Sequence, residues 1–164
     1  MKKKYLLFSL IIVVCILVTI CIVATVSRRN TIHKLLYELE SSINENNLKG
    51  IINLYPDYYH DTVSDWLSQD KLNEFNNKVG NIKIKMTFYN DYDSESASKD
   101  IQDRIFNDYG VNLKIENHQI IVVNVTNNVG VVFEQVELQV VKIQGEYYLY
   151  AESYLGGLIQ CFVE

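Results

Sequence analysis

The densest group of side chains able to do chemistry is the segment 57–61, which reads Asp-Tyr-Tyr-His-Asp. A histidine beside carboxylates is the arrangement of a general base with its orienting partner, or of half a metal site. Adjacent residues on a loop do not usually converge on one point, so we expect a solvated turn between helices. The alternative is that this segment lies near the mouth of a pocket, with Asp57, Tyr59, His60 and Asp61 as the pocket candidates.

A second histidine, His118, lies in Glu-Asn-His between two predicted strands. A histidine in a turn is the expected interpretation, because polar residues between apolar runs are typical of turns. Catalysis by His118 would require its ring to face a pocket. The sequence does not show such a pocket, so His118 is a pocket candidate and no more.

Three alternating carboxylates, Asp91, Asp93 and Glu95, have the spacing of the first ligands of a calcium-binding loop. That loop requires glycine at its sixth position and glutamate at its twelfth, and this sequence has Ser96 and Gln102 there. The segment therefore predicts a solvated loop. With no glycine-rich phosphate loop and no paired-cysteine zinc pattern either, we expect no metal, no cofactor and no local catalytic motif.

The N-terminus carries the clearest pattern in the chain. Lys2, Lys3 and Lys4 precede an uncharged apolar run of 22 residues, 5–26, and Arg28 and Arg29 follow it. As a helix the run is about 33 Å long, against roughly 30 Å for the hydrocarbon core of a bilayer. We predict an uncleaved single-pass signal-anchor through residues 5–26. The alternative is a cleaved signal peptide, whose best site, after Ala24, has an unsuitable Ile22.

The flanking charges predict which side of the membrane each part occupies. The three lysines and the amino terminus outweigh the two arginines, which places the N-terminus in the cytoplasm and the rest outside the cell membrane. We predict two parts: residues 1–29 as cytoplasmic stub and transmembrane anchor, and residues 30–164 as one extracytoplasmic domain. The scarcity of Ala and of Pro, which occurs once, is typical of an AT-rich bacterial genome.

The domain is acidic. After Asn30 the chain carries 10 Lys or Arg and 20 Asp or Glu, a formal net charge of −10. This charge disfavours nucleic acid as a partner and disfavours lying flat on anionic lipid. A protein or small-molecule partner of unknown identity stays open. Cys161 is the only cysteine outside the apolar run, so no disulfide is expected within the domain.

Apolar periodicity predicts helices first and strands afterwards. Leu48 to Tyr55 repeats the helical spacing and Pro56 ends it, while Ser68 and Gly80 are the expected N-cap and stop of a later helix. Ile82, Ile84, Met86 and Phe88 alternate as the buried face of a strand. The predicted helices cover 32–43, 48–55, 69–79 and 98–109, and the predicted strands cover 82–88, 111–115, 119–126, 131–143 and 146–154. Helices followed by an antiparallel sheet indicate an α+β domain, with a curved sheet wrapped on the helices.

The order of elements, closing on the hairpin 140–149, resembles the nuclear-transport-factor-two-like superfamily, the cystatin-like α+β cone. That hairpin reads Val-Val-Lys-Ile-Gln-Gly-Glu-Tyr-Tyr-Leu, with a glycine turn, an aromatic pair and a core aliphatic residue. The resemblance covers about 31–154 and implies a sheet curved around helices, with a pocket at the wide end. It implies no catalytic residue here, because no local motif of the enzymatic members is present.

Three functions stay open, because a fold hosts many activities. The first is a small membrane-anchored bacterial binding or interaction module without catalysis, which is the one we favour. The second is a structural assembly subunit of a type IV secretion or conjugation complex, which shares the layout of stub, anchor and outer domain. The third is a small pocket enzyme of the isomerase or dehydratase kind.

Overall fold

The predicted order of helices followed by an antiparallel sheet is confirmed in the computed structural model, which describes residues 31–91 and 95–150. The elements are α1 (Ile32–Asn44), α2 (Leu48–Ile52), a short 3₁₀ helix (Asp57–Tyr59), α3 (His60–Trp66), α4 (Gln69–Val79), β1 (Ile82–Asp91), α5 (Glu95–Tyr109), β2 (Asn117–Asn127), β3 (Val131–Ile143) and β4 (Glu146–Leu149). Within the described ranges no helix is long and apolar enough to cross a membrane. The predicted anchor at 5–26 lies outside them.

Side-chain caps explain where the main helices begin. The Thr31 hydroxyl accepts a hydrogen bond from the backbone N–H of Lys34, 3.2 Å away, and Ser68 does the same for Lys71 at 3.3 Å. Each cap satisfies one of the N–H groups that the first helical turn leaves unpaired. Gly80 ends α4 with a φ of 76°, a conformation that glycine adopts without strain. The cap at Ser68 and the stop at Gly80 were both predicted.

The sheet is an antiparallel meander in the order β1-β2-β3-β4. It is not closed, so β1 and β4 form its two edges. Ile82 pairs with Asn127 at one end of the β1–β2 ladder, and Asp91 pairs with Gln119 at the other. The turn joining β2 to β3 therefore lies at the end of the sheet where β1 begins.

One face of the sheet, the inner face, packs on the helices α1 to α4. Its central side chains are Ile121 and Val123 on β2 and Leu138 and Val140 on β3. Partners across the sheet share a face, so the alternation of buried and half-buried residues in β2 follows the pleat. The main core lies here and includes Leu35, Leu39, Leu72 and Phe75 from the helices and Tyr55 from the segment that follows α2.

The opposite face of the sheet, the outer face, is covered only in part. Helix α5 packs Ile101 and Ile105 on Val141 and Ile143 of β3, which forms a second, smaller core. The neighbouring part of the outer face, toward β1, carries no such cover among the described residues. This uneven covering defines the sites described below.

Helix α1 lies along the edge of β1 that pairs with no other strand of the sheet as the structure describes it, and its side chains form hydrogen bonds with the β1 backbone. The Asn44 side chain donates to the Ile82 carbonyl at 2.9 Å and accepts from the Ile82 N–H at 2.8 Å. A carboxylate oxygen of Glu40 accepts from the Ile84 N–H at 2.7 Å. Side chains of α1 thus take the hydrogen bonds that a further strand would make.

The prediction that Phe88 lies on the buried face of β1 is wrong. The ladder pairs Met86 with Val123 but Phe88 with Val122, so Thr87 is an extra residue that forms a β-bulge. Because side chains alternate with a period of two, one extra residue moves Phe88 to the outer face. Its side chain is 60% exposed.

Other boundaries also differ from the prediction. The second helix ends at Ile52 rather than Tyr55, a helix that was not predicted covers His60–Trp66, and α5 begins at Glu95 rather than near Ser98. The predicted strand at 111–115 is absent from the structure, although Ile115 is buried in the smaller core. Short apolar runs do not distinguish strands from irregular segments that pack on a core. The last strand ends at Leu149 in the described part of the chain.

Candidate functional site

The segment 57–61 is helical rather than a turn. Tyr59 is buried in the main core, whereas Asp57 and Asp61 are exposed. The His60 ring donates from Nε2 to the Tyr55 carbonyl at 2.9 Å, and the same nitrogen is 3.8 Å from an Asp57 carboxylate oxygen. This hydrogen bond therefore links His60, the first residue of α3, to the backbone of Tyr55 before the 3₁₀ helix. Tyr59 thus lies in the core, while Asp57 and His60 are close together at its surface.

His118 lies in a strand, not in a turn. It is the second residue of β2, pairs with Val141 and so faces the outer side of the sheet. Its Nε2 is 3.2 Å from Oε1 of Gln139, and its ring meets the Tyr150 ring edge-on, with centroids 6.4 Å apart. An amide and an aromatic ring thus hold the imidazole in place.

The pocket that His118 faces is a cleft between α5 and the outer face of the sheet. Its volume is about 260 Å³. The wall on one side comes from α5 and the floor comes from the sheet, and the lining consists of Ala97, Asp100, Ile101, Arg104, His118, Ile120, Gln139 and Tyr150. None of the residues 57–61 is in this lining, so the structure does not bring the two predicted clusters together.

The cleft combines apolar walls with polar groups of several kinds. Asp100 and Arg104 are four residues apart on α5, so both lie on the helix face that borders the cleft. His118 and Gln139 supply an imidazole and an amide from the sheet. Such a lining suits a small ligand that has both an apolar part and polar groups. Sequence reasoning missed Asp100, Arg104 and Gln139, and their helical and strand periodicity was the only available signal.

Most of the tyrosines near the candidate segment belong to a packed aromatic cluster. The Tyr58 ring is 5.1 Å from that of Tyr109 and 6.4 Å from that of Tyr59, and the Tyr55 ring meets that of Trp66 edge-on. Tyr58 bridges the two cores. Burial raises the pKa of the Tyr58 hydroxyl well above its ordinary value, and the hydroxyls of Tyr150, Tyr109 and Tyr59 add to that rise.

Replacing Tyr58 with phenylalanine should stabilise the protein by about 1 kcal/mol, because the Tyr58 hydroxyl is buried without a hydrogen-bond partner in the described part of the chain. The raised pKa also makes a prediction about pH. Above about pH 10 the unfolded chain loses this proton while the folded chain keeps it, so wild-type stability falls with rising pH. The Tyr58→Phe variant should lose less stability there.

Urea unfolding at neutral and alkaline pH, followed by Trp66 fluorescence, measures both effects. Tyr37→Phe is the matched control, since Tyr37 is an exposed tyrosine on α1. It should follow the pH dependence of the wild type. A Tyr58→Phe variant that is less stable at neutral pH would show that the hydroxyl makes a stabilising contact.

No group of three metal-ligating side chains occurs within 31–91 and 95–150 as the structure describes them. The side chains of the Asp91, Asp93 and Glu95 pattern lie outside the described set. No protein-family profile, curated protein or solved structure matches this chain. Functional inference therefore rests on the geometry of the domain and on the N-terminal sequence.

Proposed function

We propose that this protein is a membrane-anchored, extracytoplasmic binding module without catalysis. The uncharged run 5–26 is long enough to span a bilayer. The three lysines and the amino terminus before it carry more positive charge than the two arginines that follow it. The first helix of the domain starts at Ile32, a few residues after that run. This spacing leaves room for a short connection between the anchor and the domain.

The observation that carries the binding proposal is an apolar row on the uncovered part of the outer face. Phe88 pairs with Val122, and Ile120, two residues before Val122 on the same face of β2, lies where this row meets the cleft beneath α5. Phe88 is largely exposed, and Ile120 and Val122 are half-buried. We call these three residues the outer patch. Exposed apolar groups that cluster on one face are typical of sites where a partner binds.

The proposed kinship with the nuclear-transport-factor-two-like superfamily is supported by the element order and by the final hairpin. Val140 pairs with Leu149 and Ile143 with Glu146, around the turn at Gln144 and Gly145. A curved sheet is supported by the bulge at Thr87 and by the register shifts between Val123 and Thr126, because bulges bend strands.

A second proposal, a small pocket enzyme, has one observation in its favour. The cleft places His118 beside Gln139 and within the same lining as Asp100 and Arg104. A general base requires such a group at a cavity wall. If this proposal is right, His118→Gln should abolish turnover of the substrate while leaving the fold intact.

The anchor and its orientation are tested on the full chain in bacterial membranes. Alkaline washing should leave the chain in the membrane fraction, and protease added to spheroplasts should remove the domain. A chain released by the wash has no spanning helix. A chain that resists external protease, but is cut after lysis, has its domain in the cytoplasm.

Binding is tested in the same membranes with a photoreactive phenylalanine analogue at position 88. The matched control carries the analogue at Val129, which is 95% exposed at the far end of the sheet. We expect a discrete cross-linked species from position 88 and none from position 129. A species of twice the chain mass would favour the assembly-subunit function. Equal, diffuse labelling at both positions would show that the outer patch binds no partner.

A further inference from the structure

A groove opens at the end of the domain where the chain enters from the N-terminal segment. Thr31, Ile32 and His33 form one wall at the start of α1, and Met86 and Tyr89 of β1 form another. Gln119 of β2 and Tyr147 of β4 complete the lining, and the volume is about 300 Å³. We call it the Tyr89 groove.

The position of this groove along the chain limits its distance from the proposed anchor. Four residues, 27–30, lie between Val26, the last residue of the apolar run, and Thr31 on the groove wall, so five Cα–Cα steps join them. Even in a fully extended chain, five such steps span at most roughly 18 Å. The groove therefore lies close to the bilayer surface in a chain that is anchored through 5–26.

The chemistry around the groove suits the boundary between lipid headgroups and acyl chains. Tyr89 is 53% exposed and Tyr37, further along α1, is 69% exposed. Tyrosine is enriched at membrane interfaces because its ring is apolar and its hydroxyl is polar. The ammonium group of Lys142 lies 5.7 Å from the centre of the Tyr147 ring.

The sequence that leads from the proposed anchor to the groove is basic, although the domain as a whole is acidic. Between Lys4 and Glu38 the sequence has no carboxylate, while it has Arg28, Arg29 and Lys34. Cations this close to a bilayer are attracted by anionic headgroups. The acidic remainder of the domain is repelled, so contact through one end is favoured over contact through a broad face.

We infer that the Tyr89 groove docks on the lipid surface and holds the domain end-on against the bilayer. This inference rests on the proposed anchor. The opposite end, with the turn that contains Val129, then points away from the membrane. Tyr89 pairs with Ile121, whereas Ile82 pairs with Asn127 beside that turn. Seven residues of strand separate the two levels, a distance of about 23 Å.

Two single-tryptophan variants of the full chain test the orientation. Both carry Trp66→Phe, which removes the native tryptophan, and one adds Tyr89→Trp while the other adds Val129→Trp. The chains are reconstituted in vesicles of phosphatidylethanolamine and phosphatidylglycerol that contain a phospholipid brominated near the top of its acyl chains. Bromine quenches only nearby indoles. We expect the tryptophan at position 89 to lose most of its fluorescence and the tryptophan at position 129 to keep its fluorescence.

Flotation of the vesicles separates this inference from the anchor on which it rests. If the chain floats with the vesicles but position 89 is not quenched, the anchor stands and the docking of the groove on lipid is refuted. Equal quenching at positions 89 and 129 also overturns it, because the domain then has no fixed end toward the lipid. If the chain does not float, both the anchor and the docking are refuted. If Tyr89→Trp does not fold, Tyr147→Trp on the opposite wall reports on the same groove.

Discussion

Replacing Asn44 with leucine should lower the free energy of unfolding by about 2–4 kcal/mol, because two buried backbone groups lose their partners at once. The Asn44 amide bonds to both the N–H and the carbonyl of Ile82, and Ile82 is buried at the start of β1. Leucine fills a similar volume and offers neither bond. Helix α1 still occupies the strand edge, which hinders water from replacing the lost partners.

Urea unfolding of the purified full chain in mild detergent measures this change through Trp66 fluorescence. Asn77→Leu, at an exposed position on α4, is the matched control and should change stability by less than about 0.5 kcal/mol. Glu40→Gln keeps an acceptor for the Ile84 N–H and should cost less than Asn44→Leu. An Asn44→Leu variant as stable as its control would show that the two bonds to Ile82 contribute nothing.

Replacing Gly50 with alanine should destabilise the protein by about 1–2 kcal/mol, although the same change in an exposed helix normally stabilises it. A methyl group on Gly50 would lie 2.5 Å from the Ser42 hydroxyl oxygen and 2.8 Å from the Asn47 side-chain nitrogen. Ser42 is buried on α1, and Asn47 accepts from the Gly50 N–H at 2.9 Å as the cap of α2. A methyl group therefore fits here only if the Ser42 and Asn47 side chains move.

A double-mutant cycle distinguishes this contact from a general effect on the helix. Ser42→Ala removes the oxygen that the new methyl group meets. Combined with Gly50→Ala, it should recover a large part of the lost stability, so that the two changes are not additive. Additive losses would locate the strain at Asn47 instead, and a stabilised Gly50→Ala single variant would refute the prediction of a clash.

The parts of the fold that were predicted correctly depend on local chemistry. Ser68 caps α4 through a bond that spans three residues, and Gly80 stops α4 through its own backbone preference. The turn at Gln144 and Gly145 is equally local. Signals of this kind are present in any short window of sequence, so they are available before the fold is known.

The predictions are wrong where the local structure depends on contacts with residues that are distant in the sequence. The extra residue at Thr87 becomes visible only when β1 is aligned with β2, more than thirty residues later, and Thr87 bonds to the Val122 carbonyl there. Without that alignment Phe88 continues the apolar alternation. In the same way His118 follows polar residues that are typical of a turn, yet pairing with Val141 extends the strand through it.

The candidate site was only partly predictable for the same reason. His118 was chosen because it is a histidine, but its surroundings come from a helix and from a strand twenty residues away. Asp100 and Gln139 have no sequence feature that marks them as neighbours of His118. The segment 57–61 looked richer in the sequence because its residues are consecutive, and helical geometry then divides them between the core, where Tyr59 lies, and the surface.

The bonds from Glu40 and Asn44 to the edge of β1 also affect how copies of this protein behave beside one another. Proteins anchored as proposed share a plane and an orientation, which brings exposed strand edges of neighbours to the same height. Edge-to-edge pairing is then a short route to uncontrolled polymers. Because α1 already occupies the backbone groups of Ile82 and Ile84, the first part of β1 offers no template for such growth. A high density of molecules in the membrane is thereby compatible with each copy remaining separate.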